Sequence, residues 1–124
     1  LTSAILDFGG GRRVDFTVST QAVPYQRVNA VGTQKRAEII VPFNPAPVDV
    51  TTIRIDDGSD PTGDGMEIVT LPECDQYAEQ ADAFSAAVRG ETELPYGPAD
   101  AVRNMSILDA LLRSESRGKW EPVS

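Results

Sequence analysis

Histidine is missing from this sequence altogether, cysteine and tryptophan occur once each, and methionine occurs twice in 124 residues. The first absence has the widest chemical reach, because imidazole is the usual side-chain base at neutral pH and the commonest zinc ligand. Ser-His-Asp relays, Cys-His pairs and the usual zinc sets are excluded together. The lone cysteine, Cys74, can form no disulfide within the chain, so nothing here calls for an oxidising compartment and the cytoplasm is the default. With no imidazole to raise its thiolate fraction, Cys74 reads as a small half-buried hydrophobe in preference to a nucleophile. No apolar run approaches the roughly 20 residues that cross a bilayer, and no lipidation signal is present.

Basic groups are scarce where acidic groups are dense. The net charge is −8, and residues 56–93 alone carry one basic and eleven acidic side chains. Such a surface repels phosphate backbones and anionic headgroups, so neither nucleic acid nor a membrane is an expected partner. Carboxylates abound, but hydrolytic carboxylates need a cleft that raises one pKa, and no pattern here marks one.

Hydrophobic residues make up 40% and charged residues 24%, which is ordinary globular usage. A mass of 13.3 kDa fits one domain, and a packed core is expected. Leu1 stands where a start methionine would, and Thr2–Phe8 reads as a strand instead of a signal, so the chain reads as an excerpt.

Alternation dominates the first part. Ala4, Leu6 and Phe8 share one face of a first strand, and Val14, Phe16 and Val18 oppose Arg13, Asp15, Thr17 and Ser19 in a second. Gly9, Gly10 and Gly11 between them supply the positive φ of a tight reversal. A phosphate cradle would instead need a helix N-terminus after its glycines, and a strand follows here. Gln26–Gly32 and Lys35–Pro42 form a second hairpin bent at Gly32-Thr33-Gln34, after which Pro42, Pro45 and Pro47 end the ladder. Val50–Asp56 and Met66–Leu71 complete about six strands.

The stretch from Asp56 to Glu67 offers hard oxygens with a glutamate at the twelfth place, as in a calcium loop. Pro61 occupies the place where that loop requires glycine, and strands flank it, so an acidic strand connection is the preferred reading.

After Asp75 the period changes to 3.6. Tyr77, Ala81, Phe84 and Val88 line one face of a helix that Asp75 caps and Gly90 ends. A second helix opens at Pro98, places Ala101, Met105, Leu108 and Leu112 on its face, and stops at Gly118, with Trp120 packing back. These elements give an α+β fold: a mostly antiparallel open sheet of about six strands, with two long helices packed on one face. The other face mixes Arg13, Thr17, Arg27, Asn29, Glu38 and Ile40, a solvated surface or a subunit contact.

Three stretches together resemble the C-terminal domain of the glucose-fructose oxidoreductase, inositol dehydrogenase and MocA family. Val28-Asn29-Ala30-Val31-Gly32-Thr33 with Ala37-Glu38-Ile39-Ile40-Val41-Pro42-Phe43 looks like the family's central hairpin. Asp75-Gln76-Tyr77 with Gln80, Phe84, Val88, Arg89 and Gly90 looks like its first helix. Arg103-Asn104-Met105 with Leu108-Asp109-Ala110, Ser114, Gly118, Lys119 and Trp120 looks like its last helix and tail. Gln34, Lys35 and Arg36 stand where that family has a second glycine, which bears on the turn type alone.

The resemblance implies that residues 1–124 are the C-terminal, substrate-side domain of a protein transferring hydride between NAD or NADP and a sugar, polyol or related carbonyl compound. The dinucleotide would sit on a separate N-terminal domain, absent here, which holds the family's lysine; its aspartate and histidine precede the sheet. No catalytic, cofactor-binding or metal-ligating residue is therefore assigned within the chain. Tyr25 and Gln26, in a strand-edge loop after Pro24, are substrate-side candidates. The remaining role is a pocket wall and, through the open sheet face, a homo-oligomer contact. The contrasting reading is a free-standing, noncatalytic α+β interaction module.

Overall fold

The computed structural model describes residues 1–123. Six strands precede two helices: β1 (Thr2–Asp7), β2 (Arg13–Val18), β3 (Arg27–Val31), β4 (Arg36–Ile40), β5 (Thr51–Asp56), β6 (Glu67–Leu71), α1 (Gln76–Val88) and α2 (Pro98–Arg117). All strand pairs are antiparallel and the class is α+β, as the two periodicities predict. The strands are shared out differently from the single sheet read in the sequence. β1 pairs with β2 alone, while β3, β4, β5 and β6 form a four-stranded meander. Contacts gather in two compact units: Leu1–Gln21 with the chain from Ala86 onward, and Ala22–Ser85. The helices are divided with them, α2 clustering with the hairpin and most of α1 with the meander. Alternation fixes which face a side chain takes; it carries no information about which strands become neighbours.

The hairpin unit follows its pattern closely. Register pairs Ala4 with Phe16 and Leu6 with Val14, which puts the apolar residues of both strands on one face. On the other face Ser3 and Thr17 share a 2.8 Å hydrogen bond, and Arg13 reaches Asp7 at 3.5 Å. Gly9, Gly10 and Gly11 have φ of 72, 60 and 79°, a run that side chains rarely tolerate. The Asp7 carboxylate accepts from the Gly9 N–H at 2.8 Å and fixes the start of the turn.

In the meander, Val28, Ile39, Ile53 and Val69 lie in one cross-strand row, and Asn29, Glu38, Arg54 and Ile68 lie in the row on the opposite face. Gly32 serves the β3–β4 turn by closeness and not by φ: its N–H donates to the Lys35 carbonyl at 2.9 Å, and a Cβ would stand 3.1 Å from that oxygen. The acidic segment after Asp56 is the β5–β6 connection. There Asp57 accepts from the Ser59 N–H and Asp60 from the Thr62 N–H and hydroxyl, so these carboxylates turn onto their own backbone.

Both helix boundaries obey local chemistry. Asp75 Oδ1 accepts from the Tyr77 and Ala78 N–H groups at 3.0 and 3.3 Å, satisfying two donors that the first turn leaves open. Pro98 opens α2 behind an extended Gly97, and Gly118 ends it at φ 62°, donating to the Ser114 carbonyl at 2.8 Å. The covered side of α2 differs from the predicted one. Ile107, Ala110 and Leu111 are the covered apolar residues, whereas Met105, Leu108 and Leu112 face solvent. The helix is apolar on two stripes, and periodicity alone does not choose between them.

The predicted packed core is not formed. Among the described residues Ala110 and Asp56 are the only buried ones, and no large side chain is fully buried. The accessible surface is 10194 Å². Tyr77, Phe84 and Val88, read as the buried stripe of α1, are exposed. Trp120 is 62% exposed, although the chain around it does return along α2.

Candidate functional site

The two substrate-side candidates lie just before β3, at the corner of the meander where β4 also ends. Tyr25 is 76% exposed, and the Arg27 guanidinium lies 5.0 Å from the centre of its ring, within cation–π range. Gln26 is half-buried, and both of its oxygens accept hydrogen bonds. Its side-chain oxygen accepts from the Phe43 and Asn44 N–H groups, each at 3.3 Å, and its carbonyl accepts from the Val41 N–H at 3.3 Å and from Arg27 Nη1 at 2.7 Å. The same turn is held from a second side: Gln76 Nε2, in the first turn of α1, donates to the Phe43 carbonyl at 3.1 Å.

Between β4 and this turn the backbone is strained. Val41 has φ 50°, the one positive value at a residue other than glycine among the described residues. Left-handed backbone is costly for a β-branched side chain and persists where the surroundings dictate it. Here Pro42 follows with its φ fixed, and the two glutamines hold the next residues in place. Gln76 and Val41 entered the sequence reading only as parts of the stretches that carry the resemblance, and neither they nor Asn44 was given a role at a site. A glutamine after a capping aspartate looks like an ordinary first-turn residue, and nothing local marks a valine before proline as left-handed.

The polar face of the meander carries an ionic row. Glu38 stands between Arg27 at 3.6 Å and Arg54 at 3.0 Å, and Asp56 is paired with Arg36 at 2.6 Å. The Gly58 N–H and then the Arg36 guanidinium hold the Asp56 carboxyl below its ordinary value. Ser59, two residues beyond Asp57, does the same there, through its hydroxyl first and its N–H second. With their pKa values lowered, Asp56 and Asp57 stay charged at neutral pH. The ionic row rigidifies the sheet without offering a proton to transfer.

In the other unit, Ala4 and Phe16 of the hairpin and Leu111, Leu112 and Trp120 from α2 and its tail line an open groove of about 920 Å³. Beyond α2 the tail is fastened by Glu121, whose nearly buried carboxylate meets Arg117 at 3.1 Å, Lys119 at 3.6 Å and Arg113 at 3.8 Å. Arg117 chiefly lowers its pKa. Cys74 is exposed between β6 and α1, not half-buried as read from the sequence. No group of three or more acidic or cysteine side chains among the described residues is placed to hold a metal ion. No helix among them is long and apolar enough to cross a membrane.

Carboxamides and peptide N–H groups can orient hydroxyls, and guanidinium and aromatic rings can hold a ligand face. An α+β fold of this kind serves many functions, so the class by itself names none. No family model matches the sequence, and no solved structure matches it. The chain is 41% identical over 123 residues to a protein of Rhizobium meliloti named "Uncharacterized oxidoreductase ORF334". The match takes in 99% of this chain and 37% of that protein, so the chain spans little more than a third of its relative's length.

Proposed function

We propose that this chain is the substrate-side domain of an NAD- or NADP-dependent oxidoreductase of the glucose-fructose oxidoreductase, inositol dehydrogenase and MocA type, acting on a sugar, polyol or related carbonyl compound. The observation that carries the reading is the match along almost the whole chain to a little over a third of a protein named an oxidoreductase. The site chemistry agrees with a supporting part. It supplies groups that hold hydroxyls and lacks an evident acid–base pair, so the dinucleotide and the hydride-transfer residues belong to a further domain. The remaining parts of the proposal are that domain as a partner, a cytoplasmic setting, and a homo-oligomer joined across the ionic face of the meander. Salt-bridged rows between apolar ends at Val31, Ile40 and Ile68 fit a polar subunit contact.

The test is to purify the product of the whole gene and follow reduction of NAD⁺ and NADP⁺ against a panel of sugars and polyols. Turnover of at least one compound is the expected result. Absence of turnover with both dinucleotides across the panel, in a folded protein, would leave the noncatalytic interaction module as the better account. Light scattering on the same sample checks the subunit contact, and a strict monomer removes it.

A further inference from the structure

The β1–β2 hairpin is open along its β1 side. Among the described residues β1 pairs with β2 and with no other strand. The Phe8 N–H donates to the Arg12 carbonyl at 3.0 Å, and in an antiparallel ladder such bonded pairs recur at every second residue. Leu6, Ala4 and Thr2 therefore turn their peptide groups toward β2. Ser3 and Ile5 turn theirs the other way, where no strand lies. This edge has none of the usual protections: Thr2–Leu6 carries no charge, no proline and no break in register. Native proteins cover such an edge, and two strands by themselves are barely stable in water. Room for a cover exists within the same unit. Every residue from Leu1 to Ile5 borders the open groove of about 920 Å³, so the groove follows β1 lengthwise, and Leu111, Leu112 and Trp120 also line it.

We propose that β1 receives a third strand along this edge, an extended segment of the remainder of the same polypeptide, seated in the groove that β1 shares with α2 and its tail. Length supplies the donor: the chain spans 37% of the relative it matches, so the larger part of that protein lies beyond the match. The segment's peptide groups bond to those of Ser3 and Ile5, and every second side chain along it is apolar and joins Ala4, Phe16, Leu111, Leu112 and Trp120 in the groove. This rests on the chain being one domain of a longer protein, as proposed above, and on nothing about its reaction or substrate.

Residue-resolved amide exchange in the whole gene product tests it. With the edge covered, the Ser3 and Ile5 amides exchange as slowly as those of Ala4 and Leu6, which bond to β2; on a bare edge they are faster by on the order of a hundredfold. Fast exchange at Ser3 and Ile5 beside slow exchange at Ala4 and Leu6 overturns the proposal, and so does fast exchange at all four. Proline substitution gives a second reading. Ile5→Pro removes only an outward donor, which a free edge tolerates, whereas Ala4→Pro removes a bond to β2. The proposal expects the two to lower Tm by similar amounts; Ile5→Pro with a Tm close to wild type overturns it. The donor is identified by photo-crosslinking from benzoylphenylalanine in place of Ile5, which is 54% exposed. Attachment outside residues 1–124, in a product of single-chain mass, is expected. Attachment to a second copy, in a product of twice that mass, overturns the proposal in favour of edge-to-edge pairing of two chains. None of these readouts needs turnover. A covered edge in a protein that turns over nothing keeps this inference and removes the oxidoreductase reading, and a bare edge in an active protein does the reverse.

Discussion

In the hairpin, Arg13 faces Asp7 at 3.5 Å with both side chains well exposed, and Ser3 meets Thr17 by a single hydrogen bond. In the meander, Glu38 is shared by two arginines and the buried Asp56 is held by Arg36 and by the Gly58 N–H. Both sheets alternate apolar and polar residues, and both place them on opposite faces. They differ in how many neighbours each strand has. A strand with partners on both sides holds its side chains in rows, half-covered by what lies to either hand; two strands alone leave each residue a single cross-strand neighbour. Local pattern therefore sets which side a residue takes, and strand number sets how firmly it is kept there.

The contrast is sharpest in stability. Ile53 lies in a central strand, paired with Ile39 on one side and Val69 on the other, and is half-buried. Val14 is paired with Leu6 alone and is 47% exposed. Ile53→Ala is expected to cost about 2 kcal/mol in urea unfolding, toward the low end for a large-to-small change because cover is incomplete. Val14→Ala is expected to cost about 0.5 kcal/mol or less. Equal losses would mean that the two sheets are held alike and that the hairpin is better covered than its exposure indicates. Amide exchange gives the same ranking without mutation, with the β4 and β5 amides slower than those of β1 and β2.

A smaller effect of opposite sign is expected at the end of the meander. Val41 adopts a left-handed backbone that asparagine tolerates far better. Val41→Asn should therefore stabilise the protein by about 1 kcal/mol, less whatever the half-exposed valine side chain contributes. The same replacement at Val14, in regular strand geometry, should destabilise. A loss of stability at position 41 would show that its side-chain contacts outweigh its backbone strain.

What was legible in the sequence is what is decided within a few residues. The glycine run that turns β1 into β2, the Asp75 cap, the opening at Pro98 and the stop at Gly118 are all local, and the structure has them where the residues place them. Decisions between distant residues were not legible. Nothing in Ser19 to Pro24 says that β2 and β3 belong to different sheets. The choice between the Met105, Leu108 and Leu112 stripe and the Ile107, Ala110 and Leu111 stripe depends on what stands opposite, not on spacing. At the candidate site the loop residues Tyr25 and Gln26 could be picked out as a strand-edge pair. The partner that braces Gln26's turn, Gln76, lies fifty positions further along and gives no signal of its own.

The two units also carry separate acid-sensitive fastenings, and the single tryptophan allows one to be read without the other. Glu121 lies next to Trp120, and its carboxylate, gripped by Arg117, has a pKa lowered from an ordinary 4.5. Asp56, in the other unit, is lowered from 3.8. A carboxylate whose folded pKa is depressed stabilises fully above its unfolded value, and the contribution disappears as pH falls through the folded one. With no histidine to titrate, stability should show no histidine-linked change in the neutral range and should start to decline only below these ordinary carboxylate values. In the wild-type protein, Trp120 emission should shift on acidification below pH 4.5 as the tail comes away from α2. In Glu121→Gln the same emission should be nearly insensitive to acid, since the group that gained from ionisation is gone, while the strand signal in circular dichroism still follows Asp56. An unaltered tryptophan acid curve in Glu121→Gln would show that the tail is held by the Arg113–Pro122 and Ser114–Lys119 hydrogen bonds, and not by charge.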